Sequence, residues 1–443
     1  MSYRGFITGC VAAVLITPAV ALANPETQAL RQELELLKKQ VQRLEARLEK
    51  QETDNVEAVD EEKIQKVARS THEEELTKQI DIGGAIRVQL ARRGQNQNDR
   101  ATVGEIDLDT VRLNFDGEIS NILFSGEYRF YSSARFIHHG WFGYDFTESW
   151  QVRLGIQQVP FGITPFASHN FFFSSNYYLG LEDDYDTGIN ALYKNGAHDL
   201  QLAFFKNDEY SGGNGFDRYS YDPLNVARVN ADGSVDQQSI EEANTVNVRY
   251  AYTFGKDTSA SSQVGISAQG GRIYNSTNDR TGEQWAAATH LNGNYGPWNL
   301  MLQLTRYDIN PESSDGFDDN IIGTGAYGFE YTIPAQAWTY LFNMARTQQV
   351  DIGPITALTY YNDFTYIDKD DNRFEETIQN VTGVSIAAGA LFTYVDFVLG
   401  KNQPFTNPYI TNGGFGGAQL TDLGSPGAND WTTRFNINFG YYF

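Results

Sequence analysis

The sequence predicts an all-β fold, a 16-stranded antiparallel transmembrane β-barrel that follows an N-terminal α-helical coiled coil. From Ile80 onward, apolar and polar residues alternate with a period of two in one segment after another. The connections between these segments are alternately short and long. The apolar phase is rich in aromatic residues, whereas the opposite phase carries long charged side chains, and this combination is typical of membrane barrels.

The first 23 residues have the features of a secretory signal peptide. Arg4 precedes an apolar stretch from Phe6 to Val20, and the tripeptide ALA at 21–23 provides a small-x-small cleavage pattern. The sequence ITGC before Cys10 imitates a lipoprotein cleavage box, but the apolar run follows the cysteine instead of preceding it. We therefore expect cleavage before Asn24, which leaves a mature chain without thiols, disulfides or cysteine metal sites.

Residues 24–53 are predicted to form a coiled coil. The apolar residues are spaced alternately by four and three, as in the a and d positions of a heptad repeat, and they are Leu30, Leu34, Leu37, Val41, Leu44 and Leu48. Glu33 with Lys38 and Arg47 with Glu52 place opposite charges on the flanking positions. A single solvated helix is the alternative, because three heptads alone are marginally stable. Residues 54–79 are highly charged and are interpreted as a linker.

Residues 80–443 are predicted to form the barrel. The alternating segments lie at 81–90, 105–116, 121–131, 134–146, 149–158, 186–195, 198–206, 245–254, 262–274, 284–295, 297–308, 337–347, 354–367, 377–388, 391–401 and 432–443. A seventeenth candidate at 320–333 is the weakest, and an even strand number is required if both ends of the barrel face the periplasm. We therefore assign 320–333 to an external loop, and the remaining sixteen strands can enclose an aqueous channel.

A set of arginines is predicted to line one contiguous arc of the barrel wall. They fall in the polar phase of the first five strands and of the last strand, and they are Arg87, Arg112, Arg129, Arg135, Arg153 and Arg434. A guanidinium group pairs well with carboxylate or phosphate oxygens, so the arc favours a basic face toward the pore. The same strands also place carboxylates near these arginines, namely Asp81, Asp107, Glu127 and Asp145. The alternative is therefore that ion pairing within the wall only stiffens the barrel.

The long segment 159–184 is predicted to fold into the barrel as a constriction loop. It contains Phe161, Phe166 and the run Phe171 to Phe173, which a solvent-exposed loop would have little use for. Packing at a subunit contact is the alternative. If the segment folds inward, its acidic end at Glu182, Asp183 and Asp184 would oppose the arginines and create a transverse field at the constriction.

These features together resemble the phosphate-selective porin O and P family of Gram-negative outer membranes. The resemblance depends on the signal peptide, the coiled coil LRQELELLKKQVQRLEARLE, the segment RLGIQQVPFG with Pro160, Phe161 and Gly162, and the ending RFNINFGYYF. It implies a homotrimer of 16-stranded barrels whose third loop enters each pore. The chain departs from phosphate-specific members, whose pores carry many lysines, because its lysines in 80–443 are only Lys194, Lys206, Lys256, Lys369 and Lys401.

The function predicted from the sequence is passive diffusion of small hydrophilic solutes and ions, with an anion or phosphate preference through the arginine arc. We expect no cofactor, no metal site and no nucleic-acid partner. The expected partners are outer-membrane lipid, lipopolysaccharide and the barrel insertion machinery, for which the terminal Phe443 resembles the recognition signal. We place the chain in a Gram-negative outer membrane with its coiled coil in the periplasm, where it can contact the cell wall.

Two other functional classes were weighed against a channel. An adhesin or structural anchor would use the coiled coil as its tether. An outer-membrane enzyme is less favoured, because the sequence has no Gly-x-Ser-x-Gly elbow, no His-Glu-x-x-His pair and no phosphate loop. His138 and His139 are adjacent and are expected to face opposite sides of a strand, and the other histidines are scattered.

Overall fold

A computed structural model describes Lys39 and residues 79–94, 96–210, 217–224, 226–229, 235–403, 406, 423–424 and 430–443. The chain divides into two units, Met1–Leu76 and Thr77–Phe443. Of the first unit only Lys39 is described, as an exposed residue in helical conformation. The predicted signal peptide, coiled coil and linker thus lie almost entirely outside the described residues. Within the described part of the chain, no helix is both long and apolar enough to cross a membrane.

The second unit is built from antiparallel strands. Its first seven are β1 (Gln79–Arg93), β2 (Glu105–Ile119), β3 (Ile122–Tyr131), β4 (Arg135–Asp145), β5 (Trp150–Gln158), β6 (Tyr185–Asn195) and β7 (His198–Asp208). Three short strands follow, β8 (Asp222–Leu224), β9 (Val226–Val229) and β10 (Val235–Gln238). Next are β11 (Ile240–Phe254), β12 (Ala260–Asn275), β13 (Arg280–Tyr295) and β14 (Trp298–Asn310).

The remaining strands are β15 (Ile321–Ala326), β16 (Phe329–Pro334), β17 (Gln336–Ile352), β18 (Ile355–Lys369), β19 (Thr377–Ala388), β20 (Leu391–Lys401) and β21 (Trp431–Tyr442). A short helix, α1, spans Gln97–Thr102, and one 3-10 turn spans Tyr177–Leu179. The described residues therefore contain every one of the sixteen predicted strands, although several are longer than the alternation indicated.

Sixteen of the described strands close into one barrel. Its order is β1 to β7, β11 to β14 and β17 to β21, and β21 pairs with β1 to complete the circle. In this closing pair Val88 lies opposite Phe439, and Leu90 lies opposite Ile437. Closure removes the unpaired edges that would otherwise template aggregation. The predicted exclusion of 320–333 from the barrel is confirmed, because β15 and β16 form a separate three-stranded sheet with β8.

The connections alternate in length as predicted. At one end of the barrel the strands are joined by tight turns, such as those between Asn195 and His198 and between Tyr295 and Trp298. Glycines with φ near 60°, Gly196 and Gly296, begin these two turns, since a left-handed backbone suits a two-residue hairpin. At the other end the connections include 159–184 and the long segment between β7 and β11, which contains β8 to β10.

The two faces of the barrel wall have the polarity of a membrane barrel. On β11, Thr245, Asn247 and Arg249 are buried with at most 4% of their surface exposed. The residues between them alternate outward, and Val246 is 52% exposed and Val248 42%. In a soluble barrel the apolar phase would be inside and packed. The apolar outer surface and polar inner surface instead suit contact with lipid outside and water inside.

One strand differs from its predicted phase. A β-bulge at His138 of β4, which lies unpaired between the pairs Glu127–His139 and Tyr128–Ile137, shifts the register against β3, so that Arg129 lies opposite Phe136 and Phe130 lies opposite Arg135. Phe136 is consequently buried inside, and Arg135 is exposed in the outward phase with Phe130. The prediction that Arg135 belongs to the inward arc was wrong, because one extra residue in a strand reverses the direction of every side chain on one side of it.

Candidate functional site

The lumen of the barrel is occupied by the segment 159–184, which we call the inner loop. It begins after β5 and ends before β6, and its base is closed by a hydrogen bond from the Val159 N–H to the Asp184 carbonyl (2.8 Å). Its aromatic residues Phe161, Phe172, Tyr177 and Tyr178 are at most 6% exposed, whereas Phe166 is 45% exposed. The inner loop is thus a packed internal segment, and its contacts reach wall strands far from its own base.

The VPFG sequence makes the first of these contacts. The Gly162 N–H donates to Ser267 Oγ on β12 (3.0 Å), and the Ile163 N–H donates to Gln303 Oε1 on β14 (2.9 Å). Arg249 Nε on β11 donates to the Gly162 carbonyl (2.8 Å). Gly162 has φ +58°, and a Cβ placed there would lie 2.4 Å from Gln303 Oε1, so only glycine fits this approach.

A second contact joins the middle of the inner loop to β18. Asp363, which is 3% exposed, accepts hydrogen bonds from the backbone N–H of His169 (2.7 Å), from His169 Nδ1 (2.7 Å) and from Asn170 Nδ2 (2.7 Å). His169 Nε2 also contacts Asn299 Oδ1 on β14 at 2.7 Å. Burial opposes the charged form of His169, but the hydrogen bond and attraction to Asp363 outweigh it and raise the pKa of His169 above its usual value.

Three of the predicted arginines surround a cavity of about 260 Å³ beside the inner loop, which we call the arginine cavity. Its charged lining residues are Arg87, Arg129, Arg434 and Asp109, and the rest of its lining is largely aromatic. Counted as formal charges, three cations and one anion leave this lining with a balance of +2. The inner loop contributes the run Phe171 to Phe173 and two tyrosines to the same cavity.

Each of these arginines lies over an aromatic ring. The guanidinium carbon of Arg87 is 5.2 Å from the ring centroid of Phe171, that of Arg434 is 4.8 Å from Phe172, and that of Arg129 is 4.6 Å from Tyr219. Such cation–π contacts hold a guanidinium in a fixed orientation while leaving its N–H groups available for other acceptors. The rings of the inner loop therefore position two of the three charges.

Wall carboxylates partly neutralise the arginines. Asp109 lies 2.8 Å from Arg87 Nε, and Glu127 lies 2.5 Å from Arg129 Nε and 3.8 Å from Arg112 Nη1. The predicted ion pairing within the wall therefore exists alongside the basic face. Asp109 was not among the predicted acidic neighbours, because it is the extra residue where the register of β2 shifts against β1.

Arg112 and Arg153 lie apart from the arginine cavity. Arg112 is 5.0 Å from the ring of Tyr442, at the barrel seam. Arg153 lies 4.0 Å from the ring of Trp141 and lines a second cavity of about 360 Å³, which also borders the inner loop at Pro160. Four of the six predicted arginines thus line two separate cavities, and Arg112 and Arg135 line neither.

The acidic end of the inner loop does not face the arginines across open space. Glu182 accepts hydrogen bonds from the Ala167 N–H (2.8 Å) and from Ser174 within the loop itself. Asp183 accepts from Gln158 Nε2 (2.8 Å) and from the Tyr219 hydroxyl (2.5 Å). Burial raises the pKa of Glu182, and it raises that of Asp183 to about 7. These buried groups brace the loop, and the predicted transverse field between them and the arginines stays a prediction.

The adjacent histidines also depart from the prediction. The β3–β4 bulge turns both rings inward, and His138 Nδ1 lies 2.8 Å from His139 Nδ1. His138 packs against the rings of Tyr185 and Tyr219, with centroids 4.2 Å away in both cases. The pair is therefore part of the aromatic packing beneath the arginine cavity.

The last residue takes part in closing the barrel. The Phe443 N–H donates to the Gly84 carbonyl (3.1 Å), and the Gly84 N–H donates to the Phe443 carbonyl (2.8 Å). The Phe443 ring is 56% exposed, on the same strand as the outward Phe439 and Tyr441. Its predicted role as an insertion signal stays a prediction.

Comparison with protein-family descriptions and with curated proteins finds no match. Among solved structures, the anion-selective porin from Comamonas acidovorans aligns with a TM-score of 0.51 at 13% identity, over 83% of this chain and 100% of that chain. The outer membrane channel DcaP of Acinetobacter baumannii aligns with a TM-score of 0.50 at 12% identity, over 83% of this chain and 97% of that chain. At these identities the likeness concerns the fold, and the chain has the sixteen-stranded barrel fold of outer-membrane porins.

Proposed function

We propose that this protein is an outer-membrane channel for the passive diffusion of small hydrophilic solutes, with a preference for anions. The observation that carries the proposal is the arginine cavity inside the lumen, where Arg87, Arg129 and Arg434 outnumber the one lining carboxylate, Asp109. The whole chain has a formal charge of −23, so this positive balance is a local property of the arginine cavity.

The barrel architecture supports passage through the lumen. The inward phase consists largely of polar side chains that can exchange hydrogen bonds with water and solutes, and the outward phase is apolar. The inner loop narrows the interior, so permeating solutes would pass close to the guanidinium groups. At such short range an anion is stabilised and a cation is repelled by each uncompensated positive charge.

The structural neighbour from Comamonas acidovorans is described as anion-selective, which is in keeping with the proposal. Phosphate is one anion that would suit three guanidinium groups, because arginine binds phosphate oxygens through paired hydrogen bonds. The lumen would recognise it through arginines, since lysines are few in the barrel region.

The proposal includes the assembly and location that the sequence predicted. We propose a homotrimer in the outer membrane, in contact with lipid and lipopolysaccharide, that is inserted through recognition of the strand ending in Phe443. The coiled coil would extend into the periplasm, where contact with the cell wall is one proposed role. A chemical-crosslinking ladder that ends at three chains in mild detergent is the expected result, and a purely monomeric species would contradict the trimer.

Planar-bilayer recording tests the channel directly. Purified protein should give stepwise conductance increases, and heat-denatured protein should give none. In a potassium chloride gradient, the sign of the reversal potential should show that chloride permeates better than potassium, and added phosphate should reduce the chloride current. Absence of conductance steps would reject the channel and favour the structural-anchor hypothesis, whereas a cation-selective reversal potential would reject only the anion preference.

A further inference from the structure

A buried acidic cluster lies where the inner loop meets the segment between β7 and β11. Carboxylate oxygens of Asp184, Asp186 and Asp222 all lie within 4.8 Å of one another. The three residues are 7%, 2% and 1% exposed. They come from three elements, because Asp184 ends the inner loop, Asp186 is in β6 and Asp222 begins β8.

The charge of this cluster is poorly balanced by the surrounding protein. Asp208 and Glu209, each 2% exposed, adjoin it, which brings the number of buried carboxylates to five. Arg218 Nη1 lies 2.7 Å from Asp208, 2.9 Å from Asp222 and 3.8 Å from Glu209. With the partly buried Glu242, which also interacts with Asp184 and Asp186, six described carboxylates and this one guanidinium leave a formal balance of −5. Buried charges normally require a partner, so the cluster needs additional positive charge.

Two carboxylate oxygens of this cluster lack a hydrogen-bond donor among the described residues, and they indicate independently where the additional positive charge would bind. Asp186 Oδ1 and Glu209 Oε2 are buried, and within the described part of the chain neither has a hydrogen-bond donor. Two other carboxylate oxygens of the cluster do have hydrogen-bond donors. Glu209 Oε1 accepts from the Ser220 N–H at 2.7 Å, and Asp184 Oδ1 accepts from the Tyr185 N–H at 3.0 Å. An acceptor oxygen left without a donor in the interior is costly, unless a cation binds it.

We propose that Asp184, Asp186 and Asp222 bind a divalent cation of the calcium type. Oxygens within 4.8 Å of one another can all contact one Ca²⁺, whose bonds to oxygen are about 2.3–2.6 Å long. Carboxylates are the hard oxygen ligands that calcium prefers, and no sulfur or imidazole ligand is needed. The ion reduces the formal balance of the cluster from −5 to −3, and it is shared by all three ligands.

Protonation of the carboxylates is the competing way to neutralise the cluster. Burial and the neighbouring carboxylates raise the pKa of Asp184 and of Asp222, so both proton uptake and cation binding are favoured there. A proton neutralises only one carboxylate. The resulting O–H can donate a hydrogen bond to an oxygen of a neighbouring carboxylate only if the two oxygens lie within hydrogen-bond distance. A cation satisfies three separate carboxylates at once, which matches their convergence from three elements.

The site has a structural consequence for the lumen. Asp184 also accepts the hydrogen bond that closes the base of the inner loop, through its backbone carbonyl. Asp222 belongs to the sheet of β8, β15 and β16, where Thr324 Oγ1 donates to its backbone carbonyl at 2.9 Å. A bound cation would therefore join the base of the inner loop to this second internal sheet, independently of whether the barrel conducts.

Terbium luminescence provides the test, because Tb³⁺ replaces Ca²⁺ at oxygen sites and is excited by nearby tyrosines. Tyr185 and Tyr221 are adjacent in sequence to the ligands. The full chain in detergent, stripped with a chelator, should show saturable Tb³⁺ emission that Ca²⁺ displaces. The variant Asp186→Asn should bind Tb³⁺ at least tenfold more weakly. Its fold should persist, because the substitution removes one charge from an overcharged cluster, and circular dichroism checks this.

The matched control is Asp257→Asn, which removes one carboxylate from an exposed turn and should leave Tb³⁺ binding unchanged. Asp257 has φ +65°, a conformation that asparagine accepts readily. Asp222→Asn serves as a second site variant and should weaken binding as Asp186→Asn does. Wild-type protein without saturable emission, or both site variants with wild-type Tb³⁺ affinity, would overturn the proposal and leave protonation as the explanation.

Discussion

The shortest hydrogen bonds between the inner loop and β18 converge on one carboxylate, that of Asp363, whereas the bond from the Ser175 N–H to Thr365 Oγ1 is longer at 3.4 Å. Besides three bonds at 2.7 Å from His169 and Asn170, it accepts the Asn170 backbone N–H at 3.1 Å. The variant Asp363→Asn keeps the size of the side chain, but it removes the charge and turns one acceptor atom into a donor. We expect this change to release His169 and Asn170 from β18, while Asn343 and Gln379 still hold the loop on either side.

The free-energy cost of Asp363→Asn follows from the burial of the ion pair between Asp363 and His169. A hydrogen bond to a charged group contributes about 1.5–3 kcal/mol, and breaking a buried ion pair costs about 3–5 kcal/mol. The four bonds share one carboxylate and are not additive, so the second range is the appropriate one. At about 1.4 kcal/mol per factor of ten, the population in which His169 and Asn170 have left β18 should rise roughly 10²- to 4 × 10³-fold.

Single-channel recording measures this population as current noise. Asp363→Asn should show frequent transitions between conductance levels, whereas the wild-type channel should be quiet. The control is Asp368→Asn, the same chemical change at an exposed position of the same strand. A quiet Asp363→Asn channel of wild-type conductance would refute the reasoning, since it would show that the loop is held without this carboxylate.

Three further outcomes are expected. Arg129→Gln should lower the ratio of anion to cation permeability roughly 30-fold, because about 1 kcal/mol for one charge at 4 Å in water is lost both as attraction of the anion and as repulsion of the cation, while the outward Arg135→Gln should not change the reversal potential. The raised pKa of His169 means that its ion pair with Asp363 is fully present below about pH 6.5 and is lost as pH rises through the pKa of the folded state. Current noise of the wild-type channel should therefore rise with pH, and a flat profile would contradict this. His169→Gln should be noisy at every pH. Gly162→Ala should displace the inner loop, because the added methyl group would collide with the Gln303 side chain. The strained backbone should cost about 1–3 kcal/mol. Wild-type conductance in this variant would show that the close contact between Gly162 and Gln303 is dispensable.

The strands of the barrel could be predicted because alternation is a local property. A residue such as Val248 and its neighbour Asn247 report their faces within a few positions of the chain. The alternating connection lengths then identified which candidate strand to exclude, and the separate pairing of β15 with β16 agrees with that choice. Aromatic residues in the outward phase predicted that the outside of the barrel contacts lipid, and this prediction needed no tertiary information.

The limits of the sequence prediction lie at the bulges and in the inner loop. Nothing in the residues around Arg135 indicates that β3 and β4 change register at Glu127, because a bulge is a property of two strands together. For the same reason, the partner of Arg87 could not be identified as Asp109. The inward course of the inner loop was predictable from its aromatic residues, but its attachment to Asp363, distant along the chain, was not.

The class of barrel, the number of its strands and the presence of arginines in the lumen could be predicted from the residues alone, since each of these depends on patterns within one strand or between neighbours. The three-dimensional contacts were needed to establish which arginines share a cavity, which carboxylates neutralise them, and that Asp184, Asp186 and Asp222 converge. These outcomes depend on contacts between residues far apart in the chain, where a single shift in register changes every partner.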